Sequence, residues 1–337
     1  MISSEGEREA ATLITSAVFI CLVVVSGLTL NVTGIVTILK TSNTCKLFNY
    51  LIICLLVFDS WFLITAPFFF FGLKHAFFGC EYCAWLVPYW TVPCGHMAIF
   101  CTVMMTVAIS HERYIAIKDP IYHNASLKTD EQRRKRLLLY LIPILIMSAT
   151  FNIPRFFDFQ VITNSTSGTI ELNLTEQACD EYYIIFYENI SGTVLTGFLP
   201  AFLLIFYSCK TYTALKAHNY SRKISGLDEL KMLAQTARMQ EEKMARVMKG
   251  LVLTYLVCHS PRMVLYCYNG IKMTRRCDHK DSGFPLDAYG IANHFSVFMC
   301  LVNSSIGTLL YCAMNAEFRK QLFINLCHCF GNSAART

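Results

Sequence analysis

The sequence predicts an all-α membrane protein, a seven-transmembrane helix bundle followed by a short amphipathic eighth helix. Of its 337 residues, 54% are hydrophobic and only 15% are charged, whereas soluble domains are about 25% charged. Seven apolar runs are each long enough to cross a hydrocarbon core of about 30 Å as a helix. They lie around Ala17–Leu39, Leu47–Leu73, Ala84–Ile109, Leu137–Pro154, Tyr182–Cys209, Val247–Ile271 and Ala288–Met314.

The loops between these spans alternate in basic content, and this predicts their orientation. Clusters of Lys and Arg follow spans three, five and seven, at 133–136, 210–249 and 319–320. Because Lys and Arg gather in cytoplasmic loops, we expect a multi-pass plasma-membrane protein with an extracellular amino terminus. The start of the chain is acidic and lacks the basic region of a signal peptide, which favours span one as an uncleaved anchor.

The second outer loop carries two features of an extracellular segment. Asn164 and Asn173 each begin an Asn-x-Ser/Thr sequence, so we expect both to be glycosylated. Cys179 lies in the same loop, and in an oxidising compartment it should form a disulfide. Its partner is expected to be Cys83, with Cys80 as the alternative, both of which precede span three.

Span two contains an ionisable residue, Asp59, in the middle of an apolar run. Such residues are costly in a bilayer and usually functional. The candidate partners are Asn31 in span one and Asn303, Ser304 and Ser305 in span seven. Two interpretations remain open here, a sodium or water pocket around Asp59 and a structural polar cluster that joins the helices. We expect no other metal and no cofactor.

Span three ends in a charged segment, His111-Glu112-Arg113-Tyr114, and breaks at Asp119-Pro120. We expect Glu112 to pair with its neighbour Arg113 and hold the guanidinium back. Glu241, near the start of span six on the same side, is a second candidate partner for Arg113. A link between Arg113 and Glu241 would join the inner ends of spans three and six.

The run HERYIAIKDPIY resembles the Glu/Asp-Arg-Tyr signature of rhodopsin-like G-protein-coupled receptors, including the proline seven residues after the arginine. Other spans match the family's markers at Asn31, Leu55, Asp59, Pro200, Cys258, Pro261 and Tyr311. The resemblance implies that activation moves the inner end of span six outward and exposes Arg113 to a heterotrimeric G protein. It also implies coupling roles for Tyr114, Pro120, Ile121 and Tyr311.

The sequence departs from this family's pattern at its switch residues. His259 replaces the usual Trp of span six, and Gly307-Thr308 replaces the Asn-Pro that precedes the tyrosine of span seven. These changes put sodium binding and the usual activation steps in question. A narrower resemblance, carried by NIPRFFDF, VCHSP and VNSSIGTLLYC, is to the invertebrate FMRFamide-receptor group of neuropeptide receptors, and implies a short peptide ligand.

The ligand pocket is expected in the outer half of the bundle, at Gly95, His96, Ile99, Glu188, Arg262, Tyr266 and Asn293. Gly95 stands where amine receptors have an ionised Asp, so the counter-ion for a monoamine is missing. An acidic rim that includes Asp158 and Glu188 favours a basic or amidated peptide. The charge of Arg262 requires Glu188, a tyrosine with water, or an anionic group of the ligand.

Other functions fit the sequence less well. The chain shows no inverted repeat of a transporter, no Lys in span seven for retinal, and no clustered His for an enzyme's metal site. The main alternative to a peptide receptor is an orphan or constitutively active receptor with a non-peptide ligand. Besides the peptide and the G protein, we expect arrestin and membrane lipid as partners, and no nucleic acid.

The receptor domain is expected to span residues 1–329, with a membrane-surface helix at about 315–329. Phe318, Leu322, Phe323 and Leu326 recur there at helical spacing beside Arg319 and Lys320, the pattern of an interfacial helix. Cys327 and Cys329 are candidate palmitoylation sites. The cytoplasmic tail, 330–337, carries only Ser333 and Thr337 as hydroxyls, so arrestin is expected to use the third inner loop.

Overall fold

The computed structural model describes the backbone of residues 2–41, 46–71, 86–163, 170–224, 231–272, 288–314 and 318–324. Side chains are described for 18–40, 47–68, 86, 89–162, 173–217, 246–268, 292–313 and 318–324. The long helices are α1 (Ile2–Thr41), α2 (Lys46–Phe71), α3 (Val92–Lys118), α4 (Asp130–Asn152), α5 (Leu199–Ile224), α6 (Lys231–Lys272) and α7 (Ala288–Met314). Residues 318–324 form a further helix, α8.

Six helical segments of the described chain are long and apolar enough to cross a membrane. They are Val18–Lys40, Leu47–Phe68, Tyr89–Lys118, Asp130–Phe157, Tyr183–Ala217 and Ala292–Ala313. The remaining predicted span, the sixth, falls in α6, where His259, Ser260 and Arg262 lower the hydropathy. The fifth span begins before α5, because the π-helical turns Tyr183–Ser191 and Thr193–Phe198 extend it outward.

Helix α3 lies at the centre of the bundle and contacts α2, α4, α5 and α6. Two buried apolar clusters hold these helices together. The middle cluster includes Phe62, Val103, Leu204, Tyr255 and Leu301, so five different helices contribute to it. Such interdigitated packing, rather than a hydrophobic force between helices, is what joins spans within lipid.

The inner cluster of apolar residues closes the cytoplasmic end and includes α8. Phe318 and Leu322 of α8 are buried, and the Phe318 ring packs edge-on against Tyr311 at 4.7 Å. Phe323 was expected on the same apolar face, but it is exposed and lies on the other side of the helix. Leu326, Cys327 and Cys329 lie outside the described residues.

Close contact between α1 and α7 depends on a small residue. A Cβ atom added at Gly34 would lie 2.7 Å from the Thr308 hydroxyl oxygen, closer than two such atoms approach in real structures. The backbone of α1 at Gly34 therefore lies directly against the Thr308 side chain of α7, beside the polar core. The contribution of span one to this core depends on this close contact.

The second outer loop contains a β-hairpin, which the all-α prediction missed. Strand β1 (Phe159–Thr163) pairs antiparallel with β2 (Ile170–Leu174), and Gln160 lies opposite Asn173. The strands are only five residues long, and a two-stranded hairpin is marginal without packing against other elements. A short helical turn, Glu176–Cys179, follows and leads into the fifth span.

Candidate functional site

The inner end of α3 has the expected break. The helix ends at Lys118, and the Asp119 carboxylate accepts a hydrogen bond from the Tyr122 amide at 3.0 Å. Asp119 thus caps a short inner-loop helix, Pro120–Ser126, with proline at its first position. This cap leaves Ile121 85% exposed, at the position where the resemblance implies a G-protein contact.

Glu112 is 1% exposed, and its carboxylate is held by three donors from other elements. His123 of the inner-loop helix contacts Oε1 at 2.7 Å, whereas Arg136 and Tyr140 of α4 contact Oε2 at 3.1 and 2.8 Å. We call Glu112, His123, Arg136 and Tyr140 the inner ion cluster. The expected pairing of Glu112 with Arg113 is therefore corrected: the carboxylate turns toward α4, because neighbouring helical side chains point in different directions.

Arg113 lies on the opposite side of α3, toward α2. Its guanidinium carbon is 3.5 Å from the centre of the Phe48 ring, a cation–π contact. Arg113 also lines an inner cavity of about 370 Å³ between α3, α5 and α6, together with Arg246 and Lys249. The side chain of Glu241 lies outside the described residues, so its link to Arg113 stays a prediction. Tyr114 packs against Tyr207 of α5 at 6.1 Å.

The polar core joins α1, α2, α3 and α7 as expected. Asp59 is buried and accepts hydrogen bonds from Thr102, at 3.1 Å, and from Ser304. Asn31 donates to the Ser304 carbonyl at 3.1 Å and accepts from Thr308 at 3.4 Å. Of the candidates in α7, Ser304 takes part in this core, and the neighbouring Asn303 is half-buried. Thr308, which departs from the family pattern, takes part in the network.

Two of the outer acids are paired within the protein, which corrects the expectation of a free acidic rim at Asp158 and Glu188. Asp158 is buried; it accepts a hydrogen bond from Tyr183 at 2.6 Å and lies 3.8 Å from Arg155. The same Arg155 nitrogen lies 3.6 Å from Glu188, so one guanidinium faces two carboxylates. Arg155 was not among the predicted residues, although a basic residue at the outer end of a span, with an acid three residues later, is a signal for such a pair.

Four of the predicted pocket residues meet in one place. His96, Ile99, Arg262 and Tyr266 line a cavity of about 20 Å³ between α3, the outer end of α4, the π-helical start of the fifth span and α6, which we call the outer cavity. Arg155, His259 and Asn152 also line it. Gly95 is buried in α3, Glu188 faces Arg155, and Asn293 is half-buried in α7; these three are not among the residues that line the cavity.

Within the outer cavity, Arg262 takes one of the alternatives considered for it. Its Nε donates to the Tyr266 hydroxyl at 3.0 Å, and a terminal nitrogen lies 3.4 Å from His96 Nε2. The Cys300 thiol lies close to it. Below it, His259 stacks on Tyr255 at 4.5 Å, two residues before the helix reaches Pro261. The unusual histidine of α6 therefore joins the cavity to the middle cluster.

Only some of the remaining predicted residues lie within the described structure. Cys179 is disulfide-bonded, and its partner is not among the nine free cysteines of the described chain. Cys80, Cys83 and Asn164 lie outside the described residues, so the pairing stays a prediction. Asn173 is exposed on β2, which leaves its amide accessible for glycosylation. The described residues contain no cluster of three or more metal-binding side chains.

Comparison with known proteins decides the family. Residues 30–307 match the family described as 7 transmembrane receptor (rhodopsin family), and this stretch includes the polar core, the inner ion cluster and the outer cavity. The chain belongs to the rhodopsin family of seven-transmembrane receptors. Its relatives in this family are signalling receptors and not enzymes, and the seven-helix bundle is the family's fold.

Individual relatives are distant. The chain is 22% identical to the human histamine H2 receptor over 232 residues, 67% of this chain and 57% of that receptor. It is 22% identical to the Drosophila melanogaster FMRFamide receptor over 68% of this chain and 37% of that receptor. It is 23% identical to apelin receptor B of Danio rerio over 66% and 58%. The chain thus covers only a little more than half the length of two of these relatives and 37% of the third.

Proposed function

We propose that this rhodopsin-family receptor is a cell-surface receptor for a short neuropeptide and transmits ligand binding to a heterotrimeric G protein. The observation that carries the proposal is the connection of two sites by α3 and α6. One end of these helices lines the outer cavity with His96 and Arg262, and the other lines the inner cavity with Arg113 and Lys249. A ligand that separates them outside alters the spacing inside.

The inner face supplies the surface for a G protein. Ile121 is held outward by the cap at Asp119, and Arg113 lies beside a cavity large enough to receive part of a helix. Activation would widen this cavity by moving α6 away from α3. Arrestin would use the same face, together with the hydroxyl of Ser221 at the end of α5, of Thr236 near the start of α6, or of Ser225 between these helices.

The relatives support a peptide more than an amine as the ligand. Two of them, the FMRFamide receptor and apelin receptor B, bear names of peptide receptors. The histamine H2 receptor binds an amine by its name, but this chain has Gly95 in place of the acidic counter-ion of α3. The acids near the outer cavity, Asp158 and Glu188, already contact Arg155 and are poor counter-ions for a second cation.

The second candidate is an orphan or constitutively active receptor with a non-peptide ligand. The small volume of the outer cavity, about 20 Å³, favours this alternative, since little of a ligand enters it in this state. High basal signalling that no peptide changes would support the alternative.

A screen on intact cells tests the proposal. Cells that express the chain are exposed to a library of short peptides, to monoamines and to lipids, and G-protein activation is recorded by energy transfer between labelled G-protein subunits. We expect at least one peptide to activate the receptor. Matched cells that express Arg113→Ala at the same surface level identify responses that do not pass through this receptor. Activation by a monoamine or lipid alone would reject the peptide assignment.

The remaining assignments complete the proposal. The receptor lies in the plasma membrane with its amino terminus outside, Asn164 and Asn173 carry glycans, and Cys179 pairs with Cys83 or Cys80. Cys327 and Cys329 carry acyl chains that fasten α8 to the membrane, where two chains anchor more securely than one. Exposed Phe323 on α8 supports this location, because its ring has lipid as its natural partner.

A further inference from the structure

We propose that the outer cavity is an anion site, and that the ligand places a carboxylate against Arg262 and His259. The anion site is argued from this chain's own hydrogen bonds; only the statement that a peptide carries the carboxylate depends on the proposed function. This proposal replaces the basic ligand that the acidic residues of the sequence favoured.

The first observation is the charge balance of the cavity wall. Arg155 and Arg262 both line the cavity, and the described lining contains no Asp or Glu. Arg155 has its counter-ions just outside the wall, in Asp158 and Glu188. Arg262 has Tyr266, His96 and Cys300 as its described partners, and none of them is a carboxylate. A cation inside a membrane protein is costly unless an anion faces it.

The second observation is the direction of the hydrogen bonds around Arg262. A guanidinium only donates, so Tyr266, His96 Nε2 and the Cys300 sulfur all act as acceptors toward it. His96 Nδ1 lies 3.0 Å from the Val92 carbonyl, which only accepts, so this ring is the tautomer with its proton on Nδ1. Its Nε2 is therefore used by Arg262 and leaves no lone pair to the cavity.

His259 is the next group of the cavity wall. Its Nδ1 lies 4.0 Å from the Cys300 sulfur, and a thiol proton directed to Nδ1 leaves the ring proton on Nε2. His259 is only 4% exposed and lines the cavity, and its Nε2 has no hydrogen-bond partner within the described structure. A buried donor without an acceptor is unfavourable.

These bonds make the cavity floor a set of donors. The Nε2–H of His259 and the guanidinium of Arg262 meet there, in surroundings that include the Phe100 and Phe151 rings. A carboxylate supplies acceptors to both donors and the anionic contact that Arg262 lacks among the described residues. An ammonium or guanidinium group would instead bring like charge and more donors. The volume of about 20 Å³ suits the tip of a ligand, such as a carboxyl terminus or an acidic side chain, and not a whole residue.

A thermal-unfolding experiment tests the site without a known agonist. Purified full-length receptor in lipid nanodiscs is heated at pH 7 with 3-phenylpropionate, 3-phenylpropionamide or 3-phenylpropylamine, which share a phenyl group and differ in charge. At ten times its dissociation constant, the carboxylate should raise the unfolding midpoint by about 3 °C. The amide and the amine should leave the midpoint unchanged.

Substitutions assign the effect to the cavity. Arg262→Gln should abolish the carboxylate shift, and Arg262→Lys should keep part of it, since Lys retains the charge but not the fork of donors. Arg134→Gln is the matched control, because Arg134 is exposed on the inner side of α4; it should keep the full shift. Equal shifts with carboxylate and amide, no shift with carboxylate, or an unchanged shift in Arg262→Gln would each overturn the anion site.

A second measurement separates this inference from the proposed function. Each peptide of the screen is tested as the free acid and as the carboxamide, with and without an acidic residue. An agonist should lose at least about 30-fold in potency when its carboxylate is neutralised, and Arg262→Gln should remove that difference. An agonist that acts equally well as a fully neutralised peptide overturns the inference and leaves the peptide receptor standing. If the carboxylate stabilises the receptor but no peptide activates it, the anion site stands and the peptide-receptor proposal is rejected.

Discussion

The inner ion cluster and the outer cavity each hold a charged side chain close to α3, but the partners of the two side chains differ. At the inner end, the buried Glu112 carboxylate meets His123, Arg136 and Tyr140. At the outer end, the Arg262 guanidinium meets neutral groups only within the described residues. An ion whose partners are all supplied by the fold holds helices together, whereas an ion with neutral partners is ready for a ligand.

The difference also explains where each region can move. Breaking the inner ion cluster means that three hydrogen bonds to one buried carboxylate are lost. Such a loss costs much free energy in a protein interior. This cluster binds α3 to α4 and to the inner-loop helix. Arg113 is not part of this cluster; it packs on Phe48 and lines the cavity beside α5 and α6. We therefore expect α3 and α4 to remain together during activation, while α6 moves.

The largest expected effect comes from Arg113 on the mobile side of this comparison. Arg113→Ala should abolish G-protein activation while surface expression and ligand binding remain near normal, because the inner ion cluster does not include Arg113. G-protein energy transfer at matched surface levels measures the loss. Arg134→Ala, which removes an exposed arginine of the same face, should signal normally. Full signalling by a correctly expressed Arg113→Ala receptor would contradict the coupling role.

The next effect concerns the static side. Glu112→Gln replaces the carboxylate by an amide whose NH₂ faces donors, and should lower the free energy of unfolding by about 3 kcal/mol and raise basal signalling. The unfolding midpoint of the purified receptor measures the first change. Glu131→Gln is the matched control, since Glu131 pairs with Lys135 in an exposed i,i+4 contact and should change little. Equal midpoints for the two variants would show that the inner ion cluster is not structural.

The two regions differ in how far the sequence predicts them. Hydropathy gives the spans, and Asp119-Pro120 gives the end of α3, because both signals are local. Which acid meets which base is not local: Arg136 lies 24 residues and Tyr140 lies 28 residues after Glu112. Only the packing of α4 against α3 brings them together. The sequence thus predicts Glu112 as a functional residue and misses its partners.

The outer region shows the same limit in another form. Acidic residues were predicted to form a free rim, but Arg155 lies between Asp158 and Glu188 and weakens their attraction for a ligand. The hairpin was missed because its two strands are only five residues long. In contrast, the tyrosine partner of Arg262 lies four residues along the same helix, and a helical repeat predicts such a contact.

Asp59 provides a third case that sharpens the comparison. Asp59 is an anion and Arg262 a cation, but both have uncharged partners. The described partners of Asp59 are the hydroxyl residues Thr102 and Ser304. If an ion with neutral partners awaits a ligand, Asp59 should bind sodium. Sodium at ten times its dissociation constant would then stabilise the receptor by about 1.4 kcal/mol, seen as a higher unfolding midpoint.

The sodium effect needs two controls. Choline chloride at the same ionic strength should not raise the midpoint, and Asp59→Asn should remove the response while it keeps the shape of the side chain. A midpoint that is indifferent to sodium in the natural sequence would favour the other interpretation, in which Asp59 is part of a purely structural polar cluster with Asn31 and Thr308.

The smallest effect is expected at Glu241, the second acid considered for Arg113. If Glu241 links α6 to Arg113 in the resting receptor, Glu241→Ala should raise basal G-protein activation, because α6 is then freer to leave α3. An ion pair near the membrane surface contributes only about 0–1 kcal/mol, so the rise should be less than about fivefold in the ratio of active to inactive receptor. Glu242→Ala, the adjacent acid on the same helix, is the matched control because the next helical position points about 100° away. A rise with Glu242→Ala alone would move the link to that residue. Unchanged basal activity in both variants would mean that neither acid of α6 restrains Arg113. Arg113 would then differ more clearly from Glu112, whose partners in the inner ion cluster are known.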